Sequence, residues 1–217
     1  MNLEKYLGQK ARNRQRKKRR KLLIAFEGID KAGKKTQTKI LAERFKKRGY
    51  KTEIITFPDY HTPIGREIKR FLSGKRDFSP EVRQLLFAAN RWENRDKISS
   101  WLNEGKIVIA DRYVASGLAY GLANDLGLEW ALGLEKGLPE ADKIFVIDIP
   151  VEVAFLRGKN KRDIYEKNRK FLIKVRDIYL KLAKQFKWYV IDGNRPINEV
   201  SEEIWLKVGE NLKAKLF

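Results

Sequence analysis

The amino-acid sequence predicts an α/β fold, a five-stranded parallel sheet flanked by helices on both faces and preceded by a basic N-terminal extension. Three observations predict it. Short apolar runs recur along the chain, and most are continuous rather than alternating, the pattern of strands covered on both faces. Successive runs are separated by stretches long enough for the crossover helices that parallel strands require. A glycine-rich turn, Gly28 to Gly33, joins the first run to the first helical stretch, at the end of a strand where such sheets bind their ligands.

The extension comes first in the chain. Residues 1–21 hold ten Lys/Arg against Glu4 alone. The unbroken basic run Arg16 to Lys21 cannot be buried without stranding charge in a low dielectric, so the segment is read as solvated and flexible. It admits weak, salt-sensitive nucleic-acid binding through phosphate contacts. It suits a solubilising arm better, since no aromatic residue interrupts Arg12–Lys21 to stack a base. A targeting peptide is a third reading, although the block lacks the serines and apolar spacing of an amphipathic presequence.

Residues 22–217 read as one domain, with no repeat and no Pro/Gly/Ser-rich linker. The strands are expected at Leu22–Glu27, Thr52–Thr56, Ile107–Asp111, Lys143–Ile149 and Trp188–Ile191. Between and after them, helical stretches are expected at 34–48, 63–73, 80–103, 114–136, 151–157, 164–186 and 196–214. Right-handed crossovers would then place ligands at the carboxyl ends of the strands.

Composition narrows the chemistry. At 217 residues and 42% hydrophobic, one core suffices. With no cysteine there are no disulfides, thiolate metal sites or cysteine nucleophiles, and with His61 as the one histidine, zinc clusters and Ser/His/Asp catalysis are poor fits. No apolar run approaches the roughly 20 residues of a membrane span, and the N-terminus lacks a signal peptide's apolar segment, so no membrane partner and a cytoplasmic location are expected. A net charge of +20 points to polyanionic partners.

Gly28-Ile29-Asp30-Lys31-Ala32-Gly33-Lys34 matches G-x-x-x-x-G-K in the strand–loop–helix setting that the motif requires. This is the outline of a P-loop, and it specifies the fold as that of the P-loop NTPases. The glycines permit close backbone approach, successive N–H groups and the helix N-terminus face a polyphosphate, and Lys34 lies near its terminal oxygens. Gly28, Ile29, Asp30, Lys31, Ala32, Gly33, Lys34, Lys35 and Thr36 are therefore the expected ATP-binding residues. The motif's next position is Ser or Thr, whose hydroxyl holds Mg²⁺, and here it is Lys35. Thr36 lies about 100° further round the helix and cannot take its place. The metal is then expected on phosphates, water and carboxylates, with a weaker Mg²⁺ dependence or a reduced turnover.

Five segments, FEGIDKAGKKTQ (26–37), FPDYHTPIG (57–65), LLFAANRWE (85–93), DRYVASGLAY (111–120) and GLPEAD (137–142), together resemble the thymidylate kinases, which phosphorylate dTMP to dTDP. They keep the family's order and spacing, and the basic extension is no part of the likeness. The resemblance implies a kinase domain over 22–217 using ATP and Mg²⁺, and a homodimer. It implies dTMP binding by Asp30, Phe57, Phe87, Arg91, Arg112, Ser116, Tyr120 and Tyr165. Asp30 would accept from the sugar 3′-hydroxyl, Phe87 would stack the thymine, Arg91 would bond its edge, and Tyr120 would crowd a ribose 2′-hydroxyl. Four residues apart on a helix, Phe87 and Arg91 share a face, while Val82, Leu85, Leu86, Ala89 and Trp92 form an apolar stripe adequate for core packing.

Arg112 closes the strand IVIAD, where a guanidinium can grip a phosphate bidentately, and Asp111 can reach a metal through water. The expected catalytic groups are Lys31, Lys34, Arg112 and Arg157. The lid is expected near 157–167, beginning with the basic loop Arg157 to Asp163, with Tyr165 on the lid helix near the nucleoside and Asp192-Gly193 near the adenine. The family commonly has an arginine after Phe-Pro-(Glu/Arg); here the stretch reads Asp59-Tyr60, so either Tyr60 donates a neutral hydrogen bond or Arg66 substitutes. Two rival functions stay open: a kinase for another nucleoside monophosphate or a deoxynucleoside, and a nucleotide or nucleic-acid binding protein with weakened catalysis.

Overall fold

The computed structural model describes residues 22–158, 163–165 and 168–209. The basic extension, residues 159–162 of the lid stretch, 166–167 and 210–217 lie outside the described residues. Five strands, β1 (Leu22–Glu27), β2 (Thr52–Thr56), β3 (Ile107–Asp111), β4 (Lys143–Asp148) and β5 (Tyr189–Asp192), form one parallel sheet in the order β2-β3-β1-β4-β5. The predicted strands are all present, β4 ending one residue earlier than expected and β5 moved along the chain by one residue at both ends.

β1 and β3 are buried along their whole length, whereas the edge strands β2 and β5 are partly exposed. Along β1 the side chains alternate between two cores. Leu22, Ile24 and Phe26 join one cluster with Leu41, Phe45, Leu172 and Val175, while Leu23 and Ala25 join another with Val108, Ala110 and Ile98. Helices therefore cover both faces, which is why these strands read as unbroken apolar runs. The register aligns Phe26 and Thr56 with Asp111, and Asp148 with Asp192. Glu27, Asp111, Asp148 and Asp192 thus stand at the carboxyl ends of four adjacent strands.

The helices of the described residues are α1 (Lys34–Lys47), α2 (Pro63–Leu72), α3 (Pro80–Glu93), α4 (Arg95–Asn103), α5 (Val114–Ala123), α6 (Leu128–Glu135), α7 (Val151–Arg157), α8 (Arg169–Phe186) and α9 (Ile197–Gly209). Thr62 and Ser79 cap α2 and α3 by accepting from Gly65 and Val82 N–H, each followed by proline in the first turn.

Three helical expectations are corrected. The stretch 80–103 is two helices, because Asn94 leaves the helical conformation and its side-chain amide donates to the Asn90 carbonyl at 3.2 Å. The stretch 114–136 is also two: Asn124 ends α5, and Asp125, at φ 63, takes the left-handed conformation that Asp tolerates better than most residues. Helix α8 starts at Arg169 rather than 164, where the Asn168 side chain accepts from Phe171 N–H at 3.0 Å, so Tyr165 sits in a turn and not on the helix.

The apolar stripe of α3 is also corrected. Val82, Leu85 and Trp92 are 39%, 47% and 39% exposed, whereas the helix buries Gln84, Ala88, Asn90 and Arg91. The helix turns its polar side inward because that side lines a cleft. Among the described residues no helix is long and apolar enough to cross a membrane.

Candidate active site

The P-loop is built by three left-handed residues. Gly28 (φ 125) passes so close to β4 that a side chain there would run into the Ile147 carbonyl, Lys31 has φ 64, and Gly33 (φ 104) precedes the first turn of α1. Lys34 opens the helix, is buried, and donates from Nζ to the Ile29 carbonyl at 2.8 Å. Burial foremost, and then the charge of Arg112, lower its pKa to about 8, against the pull of Asp30, Asp111 and Glu27. Lys35 and Thr36 follow and are exposed. Two lysines at a helix N-terminus with no acidic residue in its first turn oppose the helix dipole, an arrangement that an anion at that terminus would relieve.

Beside this loop lies a cleft. It is lined by Asp30 from the P-loop, Phe57, Pro58 and Tyr60 after β2, Leu72 of α2, Gln84, Phe87, Asn90 and Arg91 of α3, Arg112, Ser116, Gly117 and Tyr120 around the start of α5, and Asp163 and Tyr165. Asn90 ties the loop after β2 to α3: its amide accepts from Asp59 N–H at 2.7 Å and donates to the Asp59 carbonyl at 3.1 Å and to Thr62 Oγ1 at 2.8 Å. One wall is aromatic, with Tyr165 stacked on Phe171 (5.1 Å between centroids) and edge-on to Tyr120 at 5.3 Å.

Arg112 is the hub between loop and cleft. One terminal nitrogen donates to the Gly28 carbonyl (2.9 Å), Ser116 Oγ (3.1 Å) and Tyr179 Oη (3.3 Å), and the other to Asp30 Oδ1 at 2.8 Å. Its guanidinium also lies over the Tyr120 ring, 5.5 Å from the centroid. Burial pushes the Asp30 carboxyl up, but the charges of Arg112 and Lys34 outweigh it and bring the pKa down to about 2. Beneath Arg112, Glu27 is fully buried and accepts from Tyr113 N–H at 2.7 Å and Ser116 Oγ at 2.5 Å. Desolvation pushes the Glu27 carboxyl above its ordinary range despite those bonds.

A family model described as thymidylate kinase matches residues 26–204. The thymidylate kinase of Dictyostelium discoideum is 38% identical over 187 residues, covering 86% of this chain and 84% of that protein. The human thymidylate kinase is 33% identical, covering 86% and 89%. The solved structure of thymidylate kinase from Candida albicans superposes with a TM-score of 0.79 at 31% identity, covering 88% of this chain and 92% of that one. The chain belongs to the thymidylate kinase family.

Membership makes the chain a phosphotransferase of the thymidylate kinase type on a P-loop NTPase fold, as the sequence motifs predict. All eight residues that the sequence assigned to the acceptor nucleotide, Asp30, Phe57, Phe87, Arg91, Arg112, Ser116, Tyr120 and Tyr165, line the one cleft. Asp111 is buried at the end of β3. Arg157 stands apart from the cleft, bridging the P-loop and the loop after β5 through the Lys31 carbonyl (3.3 Å) and the Gly193 carbonyl (3.0 Å). Of the two residues considered near position 60, Tyr60 lines the cleft, whereas the Arg66 guanidinium donates to the His61 carbonyl at 3.0 Å.

Sequence reasoning missed what stands behind these residues in this thymidylate kinase family member. Arg91 is not a lone guanidinium: it is paired through Nε (2.8 Å) and a terminal nitrogen with Glu135 of α6, which uses two of its five N–H donors. Gln84 donates to the Gly117 carbonyl at 3.1 Å. Gln84, Phe87 and Arg91 recur at i, i+3 and i+7, a signal readable as a polar face of the helix. Glu135, Glu27 and Tyr179 carry no such local signal.

Proposed function

We propose that the chain transfers the γ-phosphate of ATP to dTMP, giving ADP and dTDP, with the P-loop holding the donor and the cleft holding the acceptor. The observation that carries this reading is the placement of Arg112 and Asp30 where the P-loop meets the cleft. Lys34 and the loop amides bind the donor phosphates, and Arg112 binds the acceptor phosphate. Asp30, held ionised, accepts from the 3′-hydroxyl; Phe87 stacks the base and the remaining donors of Arg91 meet its edge; Ser116 and Tyr165 close the nucleoside side, and Tyr120 selects against a 2′-hydroxyl. Lys31 and Arg157 lie on the donor side, where they stabilise charge on the migrating group. No general base is required, because the attacking phosphate oxygen is already anionic; positioning and charge neutralisation carry the step.

A bound Mg²⁺ supplies neutralisation of the donor's phosphate oxygens. Asp111, a single carboxylate at the end of β3, suits a hard cation held mainly by phosphate and water, and among the described residues no cluster of three or more acidic or histidine ligands exists to hold one alone. Residues 157–167 act as the lid of the 22–217 kinase domain. The exposed stripe Val82, Leu85 and Trp92 supports a homodimer through α3, and the cysteine-free composition fits a cytoplasmic enzyme. Residues 1–21 act outside the reaction.

Initial rates of ADP release with dTMP, dUMP, UMP and thymidine, each at several Mg²⁺ concentrations, test the assignment. Highest kcat/KM for dTMP is expected; a preference for thymidine overturns it. The nucleic-acid reading would require salt-sensitive DNA or RNA binding that depends on residues 1–20, with no turnover from either the full chain or the chain beginning at Lys21.

A further inference from the structure

We propose that Glu27 and Tyr179 are positioning residues that set the backbone and guanidinium of Arg112 for the acceptor phosphate. The inference rests on the phosphate-binding role given to Arg112 above.

Arg112 has φ 68, the left-handed region, which is strained for a residue that carries a Cβ. Two hydrogen bonds hold it there. Its own N–H donates to the Phe26 carbonyl at 2.8 Å, and the next N–H, that of Tyr113, donates to Glu27 Oε1 at 2.7 Å. The carboxylate thus catches the chain immediately after the strained residue, where β3 has ended and no ladder partner remains.

The other carboxylate oxygen orients the side chain. Ser116 Oγ (2.5 Å) and Tyr179 Oη (3.3 Å) donate to Glu27 Oε2, and the two hydroxyls are 2.8 Å from each other. The same two hydroxyl oxygens accept from Arg112 at 3.1 and 3.3 Å. A hydroxyl has one proton. Ser116 gives its proton to Glu27, and Tyr179 shares its proton between Ser116 Oγ and Glu27, so the lone pairs of both hydroxyls are left to face the guanidinium. An amide at position 27 would donate into these oxygens and turn their protons toward the cation.

Glu27 and Tyr179 are 0% and 1% exposed, and neither lines the cleft. They act on the acceptor only through Arg112 and Ser116. Tyr179 reaches in from the middle of α8, the helix that follows the lid stretch, so the phosphate-binding arginine is tied to that helix by one phenol.

Calorimetric binding of dTMP, thymidine and ATP to Tyr179→Phe, Glu27→Gln and Arg112→Ala tests this. Loss of one hydrogen bond of about 1 kcal/mol corresponds to roughly fivefold. Tyr179→Phe should therefore weaken dTMP about fivefold, and Glu27→Gln should weaken it more, while thymidine and ATP change less than twofold. In the Arg112→Ala background Tyr179→Phe should add nothing. Equal losses for dTMP and thymidine, or an undiminished loss in that background, overturn the inference and leave the reading of Arg112 intact. If Arg112→Ala itself weakens dTMP and thymidine alike, the reading of Arg112 fails. Should Glu27→Gln not fold, Tyr179→Phe, which deletes a single oxygen, decides.

Discussion

Asp30 and Arg112, 82 residues apart in the chain, meet at 2.8 Å where the P-loop borders the cleft. The pair joins the P-loop to the cleft, since Arg112 also donates to the Gly28 carbonyl of the loop. Through it the loop conformation and the cleft's charge are set together.

That pair has a pH signature. The Asp30 carboxyl is brought from 3.8 down to about 2, burial opposing and the charges of Arg112 and Lys34 prevailing. A folded-state pKa below the unfolded one gives stability that is complete above about pH 4 and is lost as pH falls through 2, here on the order of 2 kcal/mol. The unfolding free energy of the native protein from urea titration should therefore fall between pH 4 and pH 2 by about that much more than that of Asp30→Asn. Parallel acid profiles for the two proteins would remove Asp30 as the source.

The Lys34 pKa is lowered as well, but there it is the charged form that the site disfavours. Its pKa of about 8 lies below the ordinary 10.5, with burial as the foremost cause. Between about pH 8 and 10.5 the folded state binds fewer protons than the unfolded, so this residue makes stability rise with pH across that window. Donor phosphates at the loop would draw the proton back. Titration with ATP at pH 8.5, in buffers of differing ionisation enthalpy, should show uptake of up to about one proton, with almost none at pH 6.5. The uptake should vanish in Lys34→Met, and persistence there would assign it elsewhere.

How much of this was legible in the sequence depends on the range of the interaction. Strands such as Leu22–Glu27 and Ile107–Asp111 were readable because burial on both faces leaves a continuous apolar run, and the P-loop because its chemistry is local. The breaks at Asn94 and Asp125 were missed because surrounding periodicity continued through them, although Asn and Asp are the residues that leave a helix at least cost. The face of α3 was inverted because an apolar stripe is normally packed inward, whereas here the cleft claims the polar side. Glu135, Glu27 and Tyr179 meet their partners across 44 to 152 residues of sequence, and no spacing rule reaches that far.

The outward stripe of α3 makes its own prediction. Leu85 is 47% exposed between Val82 and Trp92, and a charge placed there would have to be desolvated in any dimer formed through this face. If the proposed dimer forms through this face, Leu85→Glu should leave a monomer in sedimentation velocity, with little change in the melting of the isolated subunit. A native chain that sediments as a monomer at tens of micromolar, or a dimer indifferent to Leu85→Glu, would move the interface away from α3.

Gly117 on α5 offers the sharpest test of the buried pair. Its backbone is ordinary helix, so propensity alone favours alanine there by about 1 kcal/mol. A Cβ at this position, however, would lie 2.5 Å from an Arg91 terminal nitrogen and 2.8 Å from Glu135 Oε1. Either atom could swing aside on a free surface, but both side chains are almost completely buried and paired with each other. Overpacking costs typically about 1–3 kcal/mol, and any separation of the pair adds the larger cost of an uncompensated buried charge. Gly117→Ala should therefore destabilise the protein by about 1–2 kcal/mol in chemical denaturation, against the sign of helix propensity. It should also weaken dTMP, since Gly117 and Arg91 both line the cleft. Glu135→Ala, which strands the guanidinium altogether, should cost more, about 3–5 kcal/mol. A stabilising Gly117→Ala would mean that the arginine and glutamate do not meet beneath this helix, and the role proposed for Arg91 at the base would have to be drawn again.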